Sequence, residues 1–291
     1  MIHKLNITGG RPLHGTVKVQ GAKNAASKMM IASLLTDEPV VLHNVPDIGE
    51  IDITAEILTS VGAKVERHND QLTIHTPKIE NTKVIQQTRR NRLSVLAISP
   101  LLHRAGHAEL PLANGDQIGP RPVNYHINAL RQMGAEIEER SKEYDAKVGP
   151  KGLKGATIHL PFPTVMGTEN IILAATLARG RTYIHNAAIE PEIVDLIKML
   201  QQMGAIIEFR ANRQIIVDGV DRLHGVEYSV MPDRIEAASW AIAGIATGGD
   251  VTVEGARQED MITFLNTLRR IGANYDVDDN GIRFQWWPSW Y

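Results

Sequence analysis

Apolar positions along this 291-residue chain fall into recurring helical and alternating stretches, and the order of those stretches repeats. In Pro191–Met203, residues Ile193, Leu196, Ile197 and Leu200 stand at i, i+3, i+4 and i+7, the spacing of one helix face. That stretch runs into Gly204, and glycine suits the left-handed turn that commonly ends a helix. The alternating segment after it, Ala205–Gly219, predicts a strand, a turn and a second strand. The string L-x-x-x-Gly-Ala occurs four times, as Leu58–Val65, Leu130–Ile137, Leu200–Ile207 and Leu268–Tyr275. Its glycines, at 62, 134, 204 and 272, are spaced by 72, 70 and 68 residues. Near-constant spacing of this kind is the mark of an internal repeat.

Upstream of each amphipathic stretch lies a short strand pattern, VVLHNV, AELPLA, TYIHNA or VTVEGA, of which AELPLA is the weakest. Ahead of each strand is a second helix, apolar nearly all round: NAASKMMIASLL, RLSVLAISPLL, TENIILAATLA and IEAASWAIAGIA. A helix apolar on every side is expected to be buried. Each unit of about 70 residues therefore predicts a buried helix, a strand, an amphipathic helix and two strands. The expected fold class is α/β (α+β), with sheets outside the buried helices. An ordinary α/β domain with coincidental Gly-Ala turns is the alternative.

Composition narrows the chemistry. Lys and Arg total 31 against 33 Asp and Glu, a net charge of −2, which excludes a strongly basic nucleic-acid binder. The chain has no cysteine, so disulfides, thiolate catalysis and Cys-based metal sites are excluded. The first residues lack the apolar core of a signal peptide. The longest charge-free apolar stretch, Ala237–Gly249, has 13 residues, against about 18 needed to span a bilayer. Three of the four Trp crowd into the closing FQWWPSWY with Phe284 and Tyr291, an apolar patch unless another segment covers it.

The turns into the four buried helices read GAKNAA, TRRNR, MGTEN and MPDRIE. A helix start offers unpaired N–H groups and a positive dipole end, suited to phosphate or carboxylate. Lys23 and Arg92 add full charges at two such ends, at a cost of a few tenths of a kcal/mol or more against the dipole. Either an anionic ligand offsets that cost, or both are solvated surface side chains. The Arg89–Arg92 run lacks the aromatic interleaving of a nucleic-acid patch. The connection Ala113–His126 is rich in Gly and Pro and holds a single acid, Asp116. Locally Asp116 reads first as a turn former, although such a loop also serves as a lid.

Taken together, GAKNAA, the loop GDQIGPRPV, TENIILAATLA, NAAIEPEIVDL and MPDRIEAAS resemble the UDP-N-acetylglucosamine enolpyruvyl transferase family, from about residue 5 to about residue 284. That family is related to 5-enolpyruvylshikimate-3-phosphate synthase, and GAKNAA matches the UDP-sugar branch. The resemblance implies an inside-out α/β barrel and transfer of enolpyruvate from phosphoenolpyruvate to the 3′-hydroxyl of UDP-N-acetylglucosamine. Phosphate is released by addition–elimination through a tetrahedral ketal. This is the first committed step of peptidoglycan synthesis, in the cytoplasm, with no metal or organic cofactor and no membrane insertion. By position, the resemblance makes Lys23 the phosphoenolpyruvate-binding lysine, Asn24 a sugar contact and Arg92 an anion-binding arginine. Arg121, Pro122, Val123, Asn124 and Tyr125 match the segment lining the uridine site. Phe162, Pro163, Thr164 and Val165 match the stretch near the diphosphate, with Met166 where the family often has Gly. Asn124 stands where many members have Asp. Many members carry a lid cysteine as general acid, the target of fosfomycin; here the matching residue is Asp116, as in fosfomycin-insensitive members. An aspartic acid can donate that proton only if its pKa rises from about 3.9 toward neutrality, as desolvation and an anionic substrate would make it do.

The family's domain plan implies that residues 1–21 begin domain 1, residues 22–231 form a complete domain 2 of three repeats, and residues 232–291 return to domain 1 with one repeat. The family's cleft between domains is the implied active site. The base aspartate and several substrate-binding arginines belong to repeats not matched here, which makes a truncated reading frame, an expressed fragment or a split enzyme completed in trans the expectations, in that order. Self-association or a complementing chain at the open C-terminal part is expected from its free strand edges. The alternatives are a non-catalytic UDP-sugar-binding module and a shikimate-type enolpyruvyl transferase.

Overall fold

A computed structural model describes residues 6–85, 92–112 and 123–286. It divides into two compact units, one joining Met1–Ala22 to Pro232–Tyr291 and the other formed by Lys23–Met231.

The chain opens with strand β1 (His14–Lys18) of the first unit. The second unit then runs through α1 (Lys23–Ala32), β2 (Val40–His43), α2 (Gly49–Ser60), β3 (Lys64–His68) and β4 (Gln71–His75). It continues with α3 (Ile98–Ala105), β5 (His107–Pro111), α4 (Asn124–Gln132), β6 (Glu136–Glu139) and β7 (Glu143–Lys147). Strand β8 (Thr157–His159) precedes α5 (Val165–Thr176), β9 (Arg181–His185), α6 (Pro191–Gln202), β10 (Ile206–Arg210) and β11 (Gln214–Asp218). Strand β12 (Val226–Ser229) closes that unit. The chain then returns to the first unit with α7 (Arg234–Ala246), β13 (Asp250–Glu254), α8 (Gln258–Arg270), β14 (Asn274–Val277) and β15 (Gly281–Gln285). The order of helix, strand, helix and two strands expected from the pattern is the order observed. The four Gly-Ala glycines, 62, 134, 204 and 272, all have φ between +85° and +106°, a region L side chains rarely adopt.

Each sheet has the same plan. In the second unit the orders are β12-β2-β4-β3, β5-β7-β6 and β10-β11-β9-β8; in the first it is β1-β13-β15-β14. The last two strands of a repeat form a hairpin, and a further strand lies parallel to the repeat's first strand. In the β5 sheet that further strand shrinks to a bridge between Lys83 and Glu109, with Lys83 Nζ 3.1 Å from Glu109 and 2.8 Å from Glu143. The parallel partners are exchanged along the chain. Strand β12 follows the third repeat but pairs with β2 of the first, and β1 leads into α1 but pairs with β13.

Sheets lie outside because the helices between them have no polar face to offer water. In α5 every residue from Gly167 to Thr176 is buried, and in α1 every residue from Ala25 to Ala32. Helix α5 packs on α3 and α4, and α1 packs on α2, α6 and the turn Leu93–Ala97. On amphipathic α6 the buried residues include Ile193, Leu196, Ile197 and Leu200, as their spacing requires. Each such side chain contributes roughly 1.5–3 kcal/mol by leaving water. Asp195, also buried on α6, accepts from Tyr228 Oη at 2.7 Å and from Met231 N at 3.0 Å, fastening β12 and the segment beyond it. Asp195→Ala withdraws that acceptor from both donors and is expected to cost about 3 kcal/mol in urea unfolding.

Two expectations are corrected. The pattern RLSVLAISPLL read as one helix, but Leu93–Ala97 is a 3₁₀ turn and α3 starts at Ile98. Pro100 has no N–H, and its ring would meet the carbonyl four residues back, so the α-helix starts only just ahead of it. Helix α7, expected to be buried all round, is buried on one face only. Ala237 and Ala241 are inaccessible, whereas Ile235, Trp240 and Ile242 are 49%, 38% and 53% exposed. Within its own unit α7 packs on α8, β13 and β15, and among the described residues of that unit no second buried helix covers its other side.

Candidate functional site

The site expected from the sequence falls largely within the second unit, at the starts of α1, α4 and α5 and at the turn before α3. Lys23 and Asn24 open α1 and are both exposed, while the eight residues after them are buried. Lys23 Nζ lies 3.5 Å from Glu50 Oε2 in the first turn of α2. Ser27 Oγ donates to the Lys23 carbonyl at 3.0 Å and lies 3.4 Å from Glu50 Oε1. Glu50 thus offsets part of the cost of a cation at a helix start, and leaves the Lys23 ammonium half in solvent.

Arg92 is half-buried at the head of the 3₁₀ turn Leu93–Ala97, where Val95 N donates to its carbonyl at 3.2 Å. The α1 helix packs on this same turn, which links the Lys23 and Arg92 segments. Val123 caps α4 and is buried; Asn124 is exposed and Tyr125 half-buried. Tyr125 and Phe162 meet edge to face, with ring centroids 4.8 Å apart at 88°. This contact brings the Val123–Tyr125 and Phe162–Val165 segments together. Phe162 remains 46% exposed, an apolar ring kept at the surface beside a helix start.

Thr164 caps α5, accepting from Gly167 N at Oγ1 (3.4 Å), and its carbonyl accepts from Thr168 N at 3.0 Å. A Cβ on Gly167 would stand 2.5 Å from Thr164 Cγ2, so a larger residue there would displace the capping Thr164 side chain. Met166 and Gly167, read in the sequence as part of the turn into α5, lie inside the helix. Pro163 is exposed and Val165 half-buried at the same end. A cavity of about 270 Å³ opens beside Asn124, lined by Val123, Ile127, Arg131, Glu139 and Tyr144 among others. A larger cavity of about 580 Å³, between α2 and the β3–β4 hairpin, holds none of the expected site residues. Asp116, Arg121 and Pro122 lie outside the described residues.

Behind these surface residues is a polar group that the patterns did not single out. His126 is almost fully buried on α4, and its pKa is lowered to about 4, first by burial and then by the Arg92 charge. Its Nδ1 lies 3.1 Å from the amide of Asn170 on α5, which also meets Ser99 of α3. Next to Asn170, Glu169 is fully buried, and its pKa is raised to about 7 by burial, with Glu192 and Glu190 adding to the rise and Lys28 opposing it. The available signal was the Glu-Asn pair inside an otherwise apolar helix, TENIILAATLA. Among the described residues no group of three His, Asp or Glu is placed to hold a metal ion. No helix among them is long and apolar enough to cross a membrane.

The EPSP synthase (3-phosphoshikimate 1-carboxyvinyltransferase) family model matches residues 7–285. The chain is 46% identical over 287 residues to UDP-N-acetylglucosamine 1-carboxyvinyltransferase of Protochlamydia amoebophila (strain UWE25), covering 96% of this chain and 62% of that one. It is 45% identical to the enzyme of that name from Chlamydia pneumoniae (94% and 60% covered). Identity to that of Zymomonas mobilis is 42% (97% and 68% covered). The chain thus spans about 60% of the length of the chlamydial relatives. Among solved structures, the enolpyruvyl transferase NikO from Streptomyces tendae superposes with a TM-score of 0.82 at 20% identity, covering 96% of this chain and 67% of that one. An EPSP synthase from Acinetobacter baumannii gives 0.72 at 19% identity, covering 96% and 65%. The fold is therefore the inside-out α/β fold of the enolpyruvyl transferases, and the chain belongs to the EPSP synthase (3-phosphoshikimate 1-carboxyvinyltransferase) family, on the side of its UDP-N-acetylglucosamine 1-carboxyvinyltransferases.

Proposed function

We propose that this chain carries substrate-binding and proton-donating parts of an enzyme that transfers enolpyruvate from phosphoenolpyruvate to the 3′-hydroxyl of UDP-N-acetylglucosamine. The observation that carries this reading is the exposed Lys23–Asn24 pair at the start of α1, on a helix otherwise buried and packed on the turn that Arg92 heads. In this reading Lys23 and Arg92 hold the phosphate and carboxylate of phosphoenolpyruvate, whose negative charge persists through the reaction. Asn24 contacts the sugar. The Arg121–Tyr125 segment, with the cavity beside Asn124, takes the uridine, and Phe162–Val165 present the α5 start to the diphosphate.

The chemistry is an addition followed by an elimination. The 3′-oxygen bonds to C2 of phosphoenolpyruvate as its proton leaves to a base, and a general acid places a proton on C3. Loss of a C3 proton then expels phosphate and restores the enol double bond. Asp116 is the general acid of this reading, protonated under a closed lid beside an anionic substrate. Both substrates are charged metabolites, and the reading places the reaction in the cytoplasm as an early step of peptidoglycan synthesis.

Calorimetry with UDP-N-acetylglucosamine and with shikimate 3-phosphate separates the two transferase branches. The first is expected to bind and the second not; the reverse would overturn the substrate assignment. In a catalytically active assembly, Asp116→Asn is expected to lower phosphate release at least 100-fold while retaining UDP-N-acetylglucosamine affinity. Undiminished turnover would remove Asp116 from its role. A folded preparation that binds the UDP-sugar but never releases phosphate would favour a binding module.

A further inference from the structure

Asn170 is inaccessible to solvent on α5, and its side chain reaches three other elements. Its Nδ2 donates to His126 Nδ1 on α4 at 3.1 Å and makes a longer 3.5 Å contact with the Val95 carbonyl. Its Oδ1 accepts from Ser99 Oγ on α3 at 2.7 Å. The Val95 carbonyl can only accept, so the amide presents its NH₂ to that side, and His126 Nδ1 then meets a donor. An acceptor Nδ1 leaves the ring proton on Nε2. The Val95 contact leads to the Arg92 backbone, and the His126 ring lies within the field of the Arg92 charge. Val95 belongs to the turn whose N–H closes on the Arg92 carbonyl at 3.2 Å. A neutral His126 also matters: an imidazolium there would repel the Arg92 guanidinium, whereas Asn170, Ser99 and the Val95 carbonyl carry no charge.

We propose that Asn170 is a positioning residue that holds the turn headed by Arg92 in place through the Val95 carbonyl, and that it locks the neighbouring His126 ring as its Nε2–H tautomer. An amide within an apolar helix is costly unless its bonds are made, which gives this arrangement a single preferred geometry. The proposal takes from the functional reading only that Arg92 faces an anion.

Nitrogen-15 NMR of the wild-type chain tests the lock without any variant. His126 is expected to stay neutral, with its proton on Nε2, from pH 5 to 8. A proton on Nδ1, or a ring titrating near 6.5, would overturn the proposal. Calorimetry with phosphoenolpyruvate tests the link to Arg92 in Asn170→Leu, Arg92→Ala and the double variant. Each single change is expected to weaken binding about tenfold, and the double variant to match Arg92→Ala alone. Additive losses, about 100-fold in the double variant, would place Asn170 outside the Arg92 site. A wild-type chain without phosphoenolpyruvate affinity would overturn the anion reading of Arg92 instead. The Arg92 Nε–H resonance then decides the positioning: a shift in Asn170→Leu is expected, and an unmoved resonance refutes it.

Discussion

Glutamine in place of Glu169 is expected to stabilise the chain by about 3 kcal/mol more at pH 8 than at pH 4. Glu169 is fully buried on α5, and among the described residues neither carboxylate oxygen has a hydrogen-bond partner. Burial raises its pKa from 4.5 to about 7, helped by Glu192 and Glu190 and opposed by Lys28 on α1. A folded-state pKa above the unfolded one means that the contribution of this group is complete below pH 4.5 and is lost as pH rises through 7. Glutamine keeps the shape and does not titrate, so that loss disappears. His126 runs the other way. Its pKa falls from 6.5 to about 4, so its contribution is complete above pH 6.5 and is lost as pH falls through 4. The two effects oppose each other in one window, and the wild-type stability profile is expected to be flatter than that of Glu169→Gln. Urea unfolding at pH 4, 6 and 8 measures this. A pH-independent difference between the two proteins would mean that Glu169 titrates as an ordinary carboxyl.

Lys23→Ala is expected to weaken phosphoenolpyruvate binding roughly 10- to 100-fold, the worth of one charge-assisted contact to an anion. Affinity for UDP-N-acetylglucosamine should stay within about threefold. The helix supplies the control. A cation at a helix start opposes the dipole, and the Lys23–Glu50 contact is a half-exposed pair of small net value. Removing Lys23 should therefore leave thermal stability nearly unchanged or slightly raised. Lost affinity with retained stability marks a ligand-binding lysine; equal affinity for phosphoenolpyruvate in both proteins would return Lys23 to a solvated surface role. Calorimetry and thermal unfolding on the same preparations distinguish these outcomes.

The features legible in the sequence were those with a local physical cause. The four Gly-Ala turns were readable because a left-handed residue ending a helix nearly demands glycine, and each has that conformation. The buried face of α6 was readable because its spacing of apolar side chains has one geometric solution. The start of α1 at Lys23 was readable from GAKNAA, whereas MGTEN, read as the turn into α5, lies inside that helix, which Thr164 caps two residues earlier. What escaped depends on neighbours distant in sequence. The exposure of Ile235, Trp240 and Ile242 on α7 follows from what packs beside that helix, whereas its own pattern is as apolar as that of α5. The His126–Asn170–Ser99 group joins three helices, and no one stretch of sequence contains it. The exchange of β1 and β12 was also invisible, because an alternating pattern tells which face of a strand is buried and not which strand lies next to it.

That exchange has a consequence for how the polypeptide acquires its shape during synthesis. Residues 14–18 leave the ribosome early, yet their partner residues 250–254 come more than two hundred residues later. At roughly 5–20 residues per second, β1 waits for between about 10 and 50 seconds with its pairing edge unused. The sheet containing β2 likewise stays one strand short until residue 229 has been made. Closing contacts of this length is slow, and an edge left open for that time can recruit a strand from another nascent chain. For this protein, slower translation lengthens the time for which β1 and the β2 sheet stand open to such pairing.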